Sequence, residues 1–518
     1  MEIELNEKFV RALDGMEKGD QNVFVTGRAG TGKSTLLRYF REHTRKNIAV
    51  LAPTGVAAVN IKGQTIHSFF RFKPDITVTK VQKSYRKIKN GDLYKKLETI
   101  VIDEISMVRA DLLDCVDAFL RLHGKQKQRP FGGIQMIFIG DLYQLPPVVP
   151  SAEKEIFEAH YPSPYFFDAR GFRQTPFQFI ELEKIYRQRD PAFIGILNGI
   201  RNRSITDEQL EQLNARYQPH FKKSQNSFYI HLTTTNAGAK QINLQEMAKR
   251  KGKIIEYEGR MSGEFDEKAF PAERHLQFKI GAQIMLVNND SLGRWINGTV
   301  GEIVGIEENE ETGKDVIMVR LSEGDLVDVA PNTWEMFRFR YDTAKKTIES
   351  ETTGSFTQYP LLLAWAITIH KSQGKTFDKT IIDLERGSFA HGQTYVALSR
   401  CTSLEGMVLA KPIKKSHILM DWRVVKFLTQ FQYQLSEKEM SLEEKMNRIE
   451  KAIQAKQKLK ITYLKTNDEK SEREILPQFM GELTYEGKKF LGVEGYCFKR
   501  RDTRVFRVDR ILEFGLAS

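Results

Sequence analysis

The chain has 518 residues, which at about 150 per domain predicts three to four domains. Apolar residues make up 41% and charged residues 28%, a balance that excludes a wholly disordered or fibrous chain. Lysine and arginine number 79 against 67 acidic residues, and the net charge of +12 suits a polyanionic partner such as nucleic acid. Cys115, Cys401 and Cys497 are too widely spaced for a metal cluster or a disulfide framework, which predicts a reducing compartment. The start MEIELNEKF has no basic n-region or apolar stretch of a signal peptide, and the longest apolar run, residues 361–366, is too short to span a bilayer. The expectation is a soluble intracellular protein.

Through the first third, short apolar runs alternate with helical patterns. NVFVT (22–26), IAVLA (48–52), TIVID (99–103) and QMIFIG (135–140) are continuous and rich in β-branched residues. Parallel strands covered on both faces read this way, so an α/β domain is predicted over 1–185. Residues 69–96 break the rhythm and read as an insertion. There Lys80, Lys83, Arg86, Lys87, Lys89, Lys95 and Lys96 interleave with Tyr85 and Tyr94, which suits a strand track or a wedge at a fork; a solvated helix face is the alternative. The α/β alternation returns over 186–435, with strands at 229–233, 380–384 and 407–410. Within it, about 296–359, TVGEIVGI and DVIMVRL predict a small inserted β-barrel. A charged helical connector follows at 436–457, then a compact, mostly-β tail over 458–518. In the tail Lys499, Arg500, Arg501, Arg504, Arg507 and Arg510 alternate with Phe498 and Phe506. A strand would bury the phenylalanines and turn the basic groups outward, either to bind single-stranded nucleic acid or as a plain solvated face.

The strongest chemical signal is Gly27-Arg-Ala-Gly-Thr-Gly-Lys-Ser34, set between the NVFVT strand and the helical pattern STLLRYF. This is a P-loop. Gly30, Thr31 and Gly32 let backbone N–H groups approach phosphates, Lys33 reaches the β- and γ-phosphates, and Ser34, followed by Thr35, opens the helix and offers a hydroxyl to Mg²⁺. A P-loop needs an acidic partner at the end of another strand, and TIVIDE supplies one: Asp103 to hold Mg²⁺ through water, Glu104 to polarise the attacking water. Gln144, in GDLYQLPP after the fourth strand, is placed to sense the γ-phosphate or orient water; a proline-stiffened turn is the alternative. Pro53, Thr54 and Gly55 follow the second strand, where a helix start could bind a nucleic-acid phosphate or simply be a capped helix. Thr-Ile-His occurs twice, at Thr65–His67 and Thr368–His370, as nucleic-acid contacts or as satisfied core or cap histidines.

In order, the P-loop, APTGVAAVNIKGQTIHSF, VIDEISMV, PFGGIQMIFIGDLYQLPPV, ELEKIYRQRD, PLLLAWAITIHKSQG and GQTYVALSRC resemble the motifs of superfamily 1 helicases. They look most like the Pif-type (petite integration frequency) DNA helicases, relatives of the RecD branch, over about residues 5–412. The resemblance implies two RecA-like domains with the ATP cleft between them and Arg187 and Arg400 directed in cis at the γ-phosphate. It also implies Gly374 lining the cleft, and Thr65, His67, Thr234, Asn236, His370, Lys371, Ser372 and Gln373 on single-stranded DNA, with Gln373 or His370 coupling DNA to ATP. The inserted barrel resembles a Src-homology-3-like subdomain, with Trp295 and Trp334 as core or stacking residues. The tail resembles a WYL domain whose name-giving triplet is Lys489-Phe490-Leu491 here. Two departures stand out: Phe9 sits where the family often has an adenine-reading glutamine, and Leu142 replaces an aromatic residue.

What this implies is an ATP- and Mg²⁺-dependent helicase moving 5′-to-3′ on single-stranded DNA, acting on forked or G-quadruplex DNA. It would work as a monomer, cytoplasmic and nucleoid-associated in a bacterial-like cell. Two rivals remain open: a nucleic-acid-binding regulator with a slow ATPase switch and a sensing tail, and a translocase on RNA or RNA–DNA hybrids.

Overall fold

The computed structural model describes residues 5–515 apart from 20, 87–90, 223–226, 310–312, 343, 385–386, 389 and 486, so Lys87 and Lys89 of the basic insertion lie outside the described residues. The chain forms two compact units, one of Met1–Arg201 and Ile205–Leu419, the other of Asn202–Ser204 with Met420–Ser518. Among the described residues no helix is long and apolar enough to cross a membrane.

The larger unit is built on two parallel sheets. The first has strand order β3-β2-β4-β5-β1-β6, with β1 Asn22–Gly27, β2 Ile48–Ala52, β3 Gln64–Thr65, β4 Thr99–Ile102, β5 Gln135–Ile139 and β6 Phe177–Leu182. The four runs read as strands are β1, β2, β4 and β5. Each is almost wholly buried, as helices on both faces demand. β6 escaped the sequence reading because FQFIEL is half-buried at a sheet edge beside β1. The helices α1 (Glu7–Lys18) and α2 (Lys33–His43) close one face over Val23, Val25, Ile137 and Ile139. Phe9, at the place of the expected glutamine, is part of this core, 3% exposed with its ring edge on Tyr39.

The second sheet joins Ala366–Thr368, Ile230–Thr233, Thr380–Ile382 and Met407–Leu409 in that order, all parallel. Between its strands lies the barrel-like insertion, whose boundaries differ from expectation. Its five-stranded sheet recruits Gln283–Leu286 before residue 296 and Leu361–Leu363 after 359, around Phe278, Ile303, Ile317 and Trp365. Residues 332–358 leave it as a long hairpin, Asn332–Asp342 with Thr347–Gln358, which reaches the first domain: Phe339 N–H donates to Gln64 Oε1 at 3.1 Å and Ile348 N–H to Asn47 Oδ1 at 2.9 Å. Trp295 and Trp334 are buried, as core residues.

The basic insertion carries two short helices, Val78–Ser84 and Asp92–Lys96. Its aromatic residues are not a stacking track. Phe69, Phe70, Phe72 and Tyr94 are buried around Phe119 of the helix Ala110–His123, and Tyr85 packs beside them with its hydroxyl on Arg71 O. Burying four aromatic side chains outweighs any gain from leaving them in water for a ligand.

In the C-terminal unit the expected connector is two helices, Trp422–Glu439 and Leu442–Gln454, broken at a capping box in which Ser441 and Glu444 satisfy each other's backbone N–H groups. The second is no free connector: Ile449 and Ala452 are buried with Ile461, Ile475, Val493, Phe506 and Ile511 of a five-stranded antiparallel sheet. Phe506 is buried as predicted. Phe498 is half-buried in a turn past its strand, beneath Lys458, so the strict alternation ends at Cys497 while Lys499, Arg500, Arg501 and Arg504 are exposed.

Candidate nucleotide and nucleic-acid site

The P-loop follows β1 and opens α2, so its N–H groups and the helix N-terminus face one point. Gly30 at φ +80° and Gly32 at φ +87° are required by conformation. Gly30 is also required by space, because a Cβ there would fall 2.5 Å from the Cβ of Arg187. Thr31 is buried, its hydroxyl donating to Arg28 O, so its side chain braces the loop; Ser34 is exposed at the helix start. Lys33 Nζ donates to Gly27 O at 2.7 Å and to Arg28 O at 2.9 Å. Burial pulls the Lys33 ammonium below its ordinary range against the opposing carboxylates of Asp141, Glu104 and Asp103.

Those carboxylates lie at the ends of β4 and β5. Burial, then repulsion from Glu104, pushes the Asp103 carboxyl up to about 7, and burial raises Glu104 as well. Two buried carboxyl groups side by side are costly unless a cation joins them. Glu104 has φ +50°, a left-handed conformation that a non-glycine residue adopts only where its surroundings hold it. The Ser34 hydroxyl and the Asp103 carboxylate are hard oxygen donors of the kind Mg²⁺ selects.

The second domain reaches the same place. Tyr186 N–H donates to Gly30 O at 2.9 Å, and Arg187, packed on Gly30, donates to Ser399 O at 3.1 Å. Arg400 is fully buried; its guanidinium donates to Val396 O, Lys375 O and Ser399 Oγ, and burial, then Arg187, lowers it to about 9. Gln373 Nε2 donates to Glu104 Oε2 at 3.1 Å, a direct bond between the KSQG turn and the acidic pair. Gln144 is buried and its amide donates to Asp141 Oδ2, so it is braced within its own loop rather than presented to a phosphate. Gly374, at φ +79° with open space where a side chain would be, is required by conformation and has no close approach in the cleft.

Several expected DNA contacts are helix starts. Thr54 caps α3 (Gly55–Asn60) and Thr65 caps α4 (Ile66–Phe70), each accepting from the backbone three residues on. Gly55 has a packing reason as well, since a Cβ there would fall 2.3 Å from the Cβ of Ala269. Pro53 is partly buried, and His67 is half-buried and held below the ordinary histidine range by burial. In the second domain the cap is Thr235, one residue from expectation: Thr234 is buried, Asn236 exposed. His370 and Lys371 are exposed. Ser372 is not available as a side-chain contact, being fully buried with its hydroxyl on Ile369 O.

Four residues of the site escaped the sequence reading. Tyr186, 44% exposed beside Gly32, accepts from Asn6 Nδ2 at 3.1 Å and offers a flat face at the mouth of the P-loop. Tyr395 Oη accepts from Ala29 N–H at 3.0 Å. Asp141 is fully buried, and Arg201 lies 3.9 Å from its carboxylate. Asp141 followed a strand as Asp103 does and was legible; an arginine ending an apolar helix was not.

Comparison with known proteins gives the family. Residues 6–209 match the PIF1-like helicase family and residues 444–515 the WYL domain. The ATP-dependent DNA helicase Pif1 of Bdellovibrio bacteriovorus is 34% identical over 83% of this chain and 93% of its own length. The human ATP-dependent DNA helicase PIF1 is also 34% identical, over 78% of this chain, which spans 60% of the human protein. Among solved structures, Pif1 from Bacteroides sp in complex with ADP-AlF4 superposes with a TM-score of 0.77 at 38% identity, covering 84% of this chain and 98% of that one. The Bacteroides protein bound to single-stranded DNA gives 0.58 at 39% identity, covering 82% and 96%. The chain belongs to the PIF1-like helicase family, with a WYL domain at its C-terminal end.

Proposed function

We propose that this protein is an ATP-dependent DNA helicase that moves 5′-to-3′ along single-stranded DNA and separates duplex ahead of it, forked and G-quadruplex DNA included, as a monomer in the bacterial-type cytoplasm on the nucleoid. The observation that carries the reading is the Gln373–Glu104 hydrogen bond, which ties the turn that begins at His370 and Lys371 to the carboxylate beside the P-loop. The Bdellovibrio and human relatives are named ATP-dependent DNA helicases, and the Bacteroides Pif1 was seen bound to single-stranded DNA.

In this reading Gly30, Thr31, Gly32, Lys33, Ser34 and Thr35 seat the triphosphate and Tyr186 gives the base a face to stack on. Ser34 and Asp103 would hold Mg²⁺, which when bound neutralises phosphate charge. Glu104 accepts a proton from the attacking water. Arg187 and Arg400 stabilise the charge that develops on the transferring phosphoryl group. Release of Glu104 from Gln373 when DNA repositions the KSQG turn frees the carboxylate, so that hydrolysis follows DNA binding. Thr54, Thr65 and Thr235, at helix starts, and the exposed His370, Lys371 and Asn236 line the strand path. The exposed Lys499, Arg500, Arg501 and Arg504 add a basic surface for single strands in the C-terminal unit.

The test is ATP hydrolysis with and without single-stranded DNA, alongside unwinding of partial duplexes bearing 5′ or 3′ overhangs. Strong stimulation with unwinding from the 5′ overhang alone is expected. Equal stimulation by RNA of the same length would instead favour an RNA translocase, and slow turnover indifferent to DNA a regulator.

A further inference from the structure

Within the larger unit, the loop 287–299 of the barrel-like insertion touches both halves. It joins the strands Gln283–Leu286 and Val300–Asn309 and is braced on the barrel. Trp295 is buried in the barrel core with its Nε1–H donating to Asn288 Oδ1 at 3.0 Å, and Arg294 bridges Asp290 and Asp328. Asn297 N–H donates to Asn289 Oδ1 at 2.8 Å, so the Asn297-Gly298 tip is part of that braced loop. From the tip the Asn297 side chain reaches two ways. Its Oδ1 accepts from Lys375 Nζ, and its Nδ2 donates at 3.2 Å to Asn60 Oδ1, the last residue of α3.

Lys375 ends the turn that carries Gln373. Its N–H donates to Ser372 O at 3.0 Å, which closes a four-residue turn with Gln373 and Gly374 at its centre. Its carbonyl accepts from the Arg400 guanidinium at 3.2 Å. Gln373 donates to Glu104, and Arg400 faces the same carboxylate electrostatically. Two of the groups that hold Glu104 are therefore fastened to Lys375. With only two soft dihedrals per residue, a closed turn moves as one piece when its last side chain is held. Burial pulls the Lys375 ammonium down to about 8, and a charged donor short of water holds its acceptor more firmly.

We propose that Asn297 is a latch on ATP turnover: by holding the positioning residue Lys375 it keeps the Ser372–Lys375 turn, and with it Gln373 and Arg400, against Glu104 while no strand is bound. The inference rests on the reading of Glu104 as the base that is freed when this turn moves. Asn60 anchors the latch on α3, whose first turn, capped by Thr54, belongs to the proposed strand path. A strand arriving there acts on Glu104 through Asn60, Asn297 and Lys375, a route separate from His370 and Lys371.

The experiment compares full-length wild type, N297A, K375M, the combination of the two, N297D, N60A and Q373A. ATP turnover is measured with and without single-stranded DNA, together with thermal melting. N297A and K375M are each expected to raise unstimulated kcat about threefold to tenfold, in keeping with one lost hydrogen bond, while DNA-stimulated kcat and KM for ATP stay within about twofold. The combination is expected to gain no more than either alone, the signature of residues acting through one path. N297D keeps the oxygen that accepts from Lys375 and should stay within about twofold of wild type, whereas N60A, losing the second anchor alone, should rise about twofold. A damaged fold lowers turnover, so a rise reports the latch. Wild-type or lower unstimulated kcat in both N297A and K375M, or gains that multiply in the combination, overturns the proposal. A wild-type value in Q373A strikes the reading of the Gln373–Glu104 bond, and a raised N297A then places the latch on Arg400. Absent DNA stimulation in the wild type strikes the helicase reading alone, since unstimulated kcat still reports the latch.

Discussion

In the first half of the larger unit β2 runs into Pro53-Thr54-Gly55, and its edge neighbour β3 runs into Thr65-Ile66-His67. In the second half the strand Ile230–Thr233 runs into Thr234-Thr235-Asn236, and its edge neighbour Ala366–Thr368 runs into Ile369-His370. The same pair of strands, a threonine-capped helix after the inner strand (Thr54 and Thr235) and the same Thr-Ile-His are thus built twice. The surroundings differ. Gly55 is pressed on Ala269 and His67 is half-buried, whereas Thr235 starts a 13-residue helix and His370 is exposed beside Gln373. In the proposed reading the first half carries the P-loop and its carboxylates on buried supports, and the second carries the exposed copy, joined to Glu104 through Gln373.

The largest effect that tests this division is Lys33→Ala, expected to lower ATP turnover by about 10³-fold or more and to abolish unwinding while single-stranded DNA still binds. Steady-state hydrolysis and a gel-based unwinding assay read it, and unchanged turnover would remove the first half from the chemistry. Glu104→Gln should follow, with kcat down about 10²-fold and nucleotide affinity kept. Gln373→Ala sharpens the comparison, because the ratio of DNA-stimulated to unstimulated turnover should fall about fivefold through loss of the bond to Glu104. The smallest difference is between the histidines: His370→Ala should weaken single-stranded DNA binding about threefold, and His67→Ala less, as anisotropy titrations at fixed salt would show. Equal effects would make the two halves equivalent.

Much of this was legible in residues. Each of the four continuous apolar runs of the first third became a parallel strand, since burial on both faces suits such runs, and the P-loop and TIVIDE lie together at the ends of β1 and β4. The Ser441-Leu-Glu-Glu444 capping box that splits the supposed connector was equally readable as a helix start. The barrel was misjudged at both ends because QIML and LLL carry no sign of which sheet they join; pairing at long range decides that. The aromatic residues of the insertion carried no sign of being core rather than surface.

By itself the sequence determined the local pattern: which loop has the P-loop form, which carboxylates follow the neighbouring strands, and where the helix after it starts. These depend on neighbours within a few residues, and backbone sterics enforce them. The tertiary structure alone decided which distant groups share a site. Gln373 with Glu104, Arg187 on Gly30, Tyr395 on Ala29 and Arg201 with Asp141 are each separated by 60 or more residues. Their meeting is fixed by how buried surfaces pack, and no spacing along the chain encodes it.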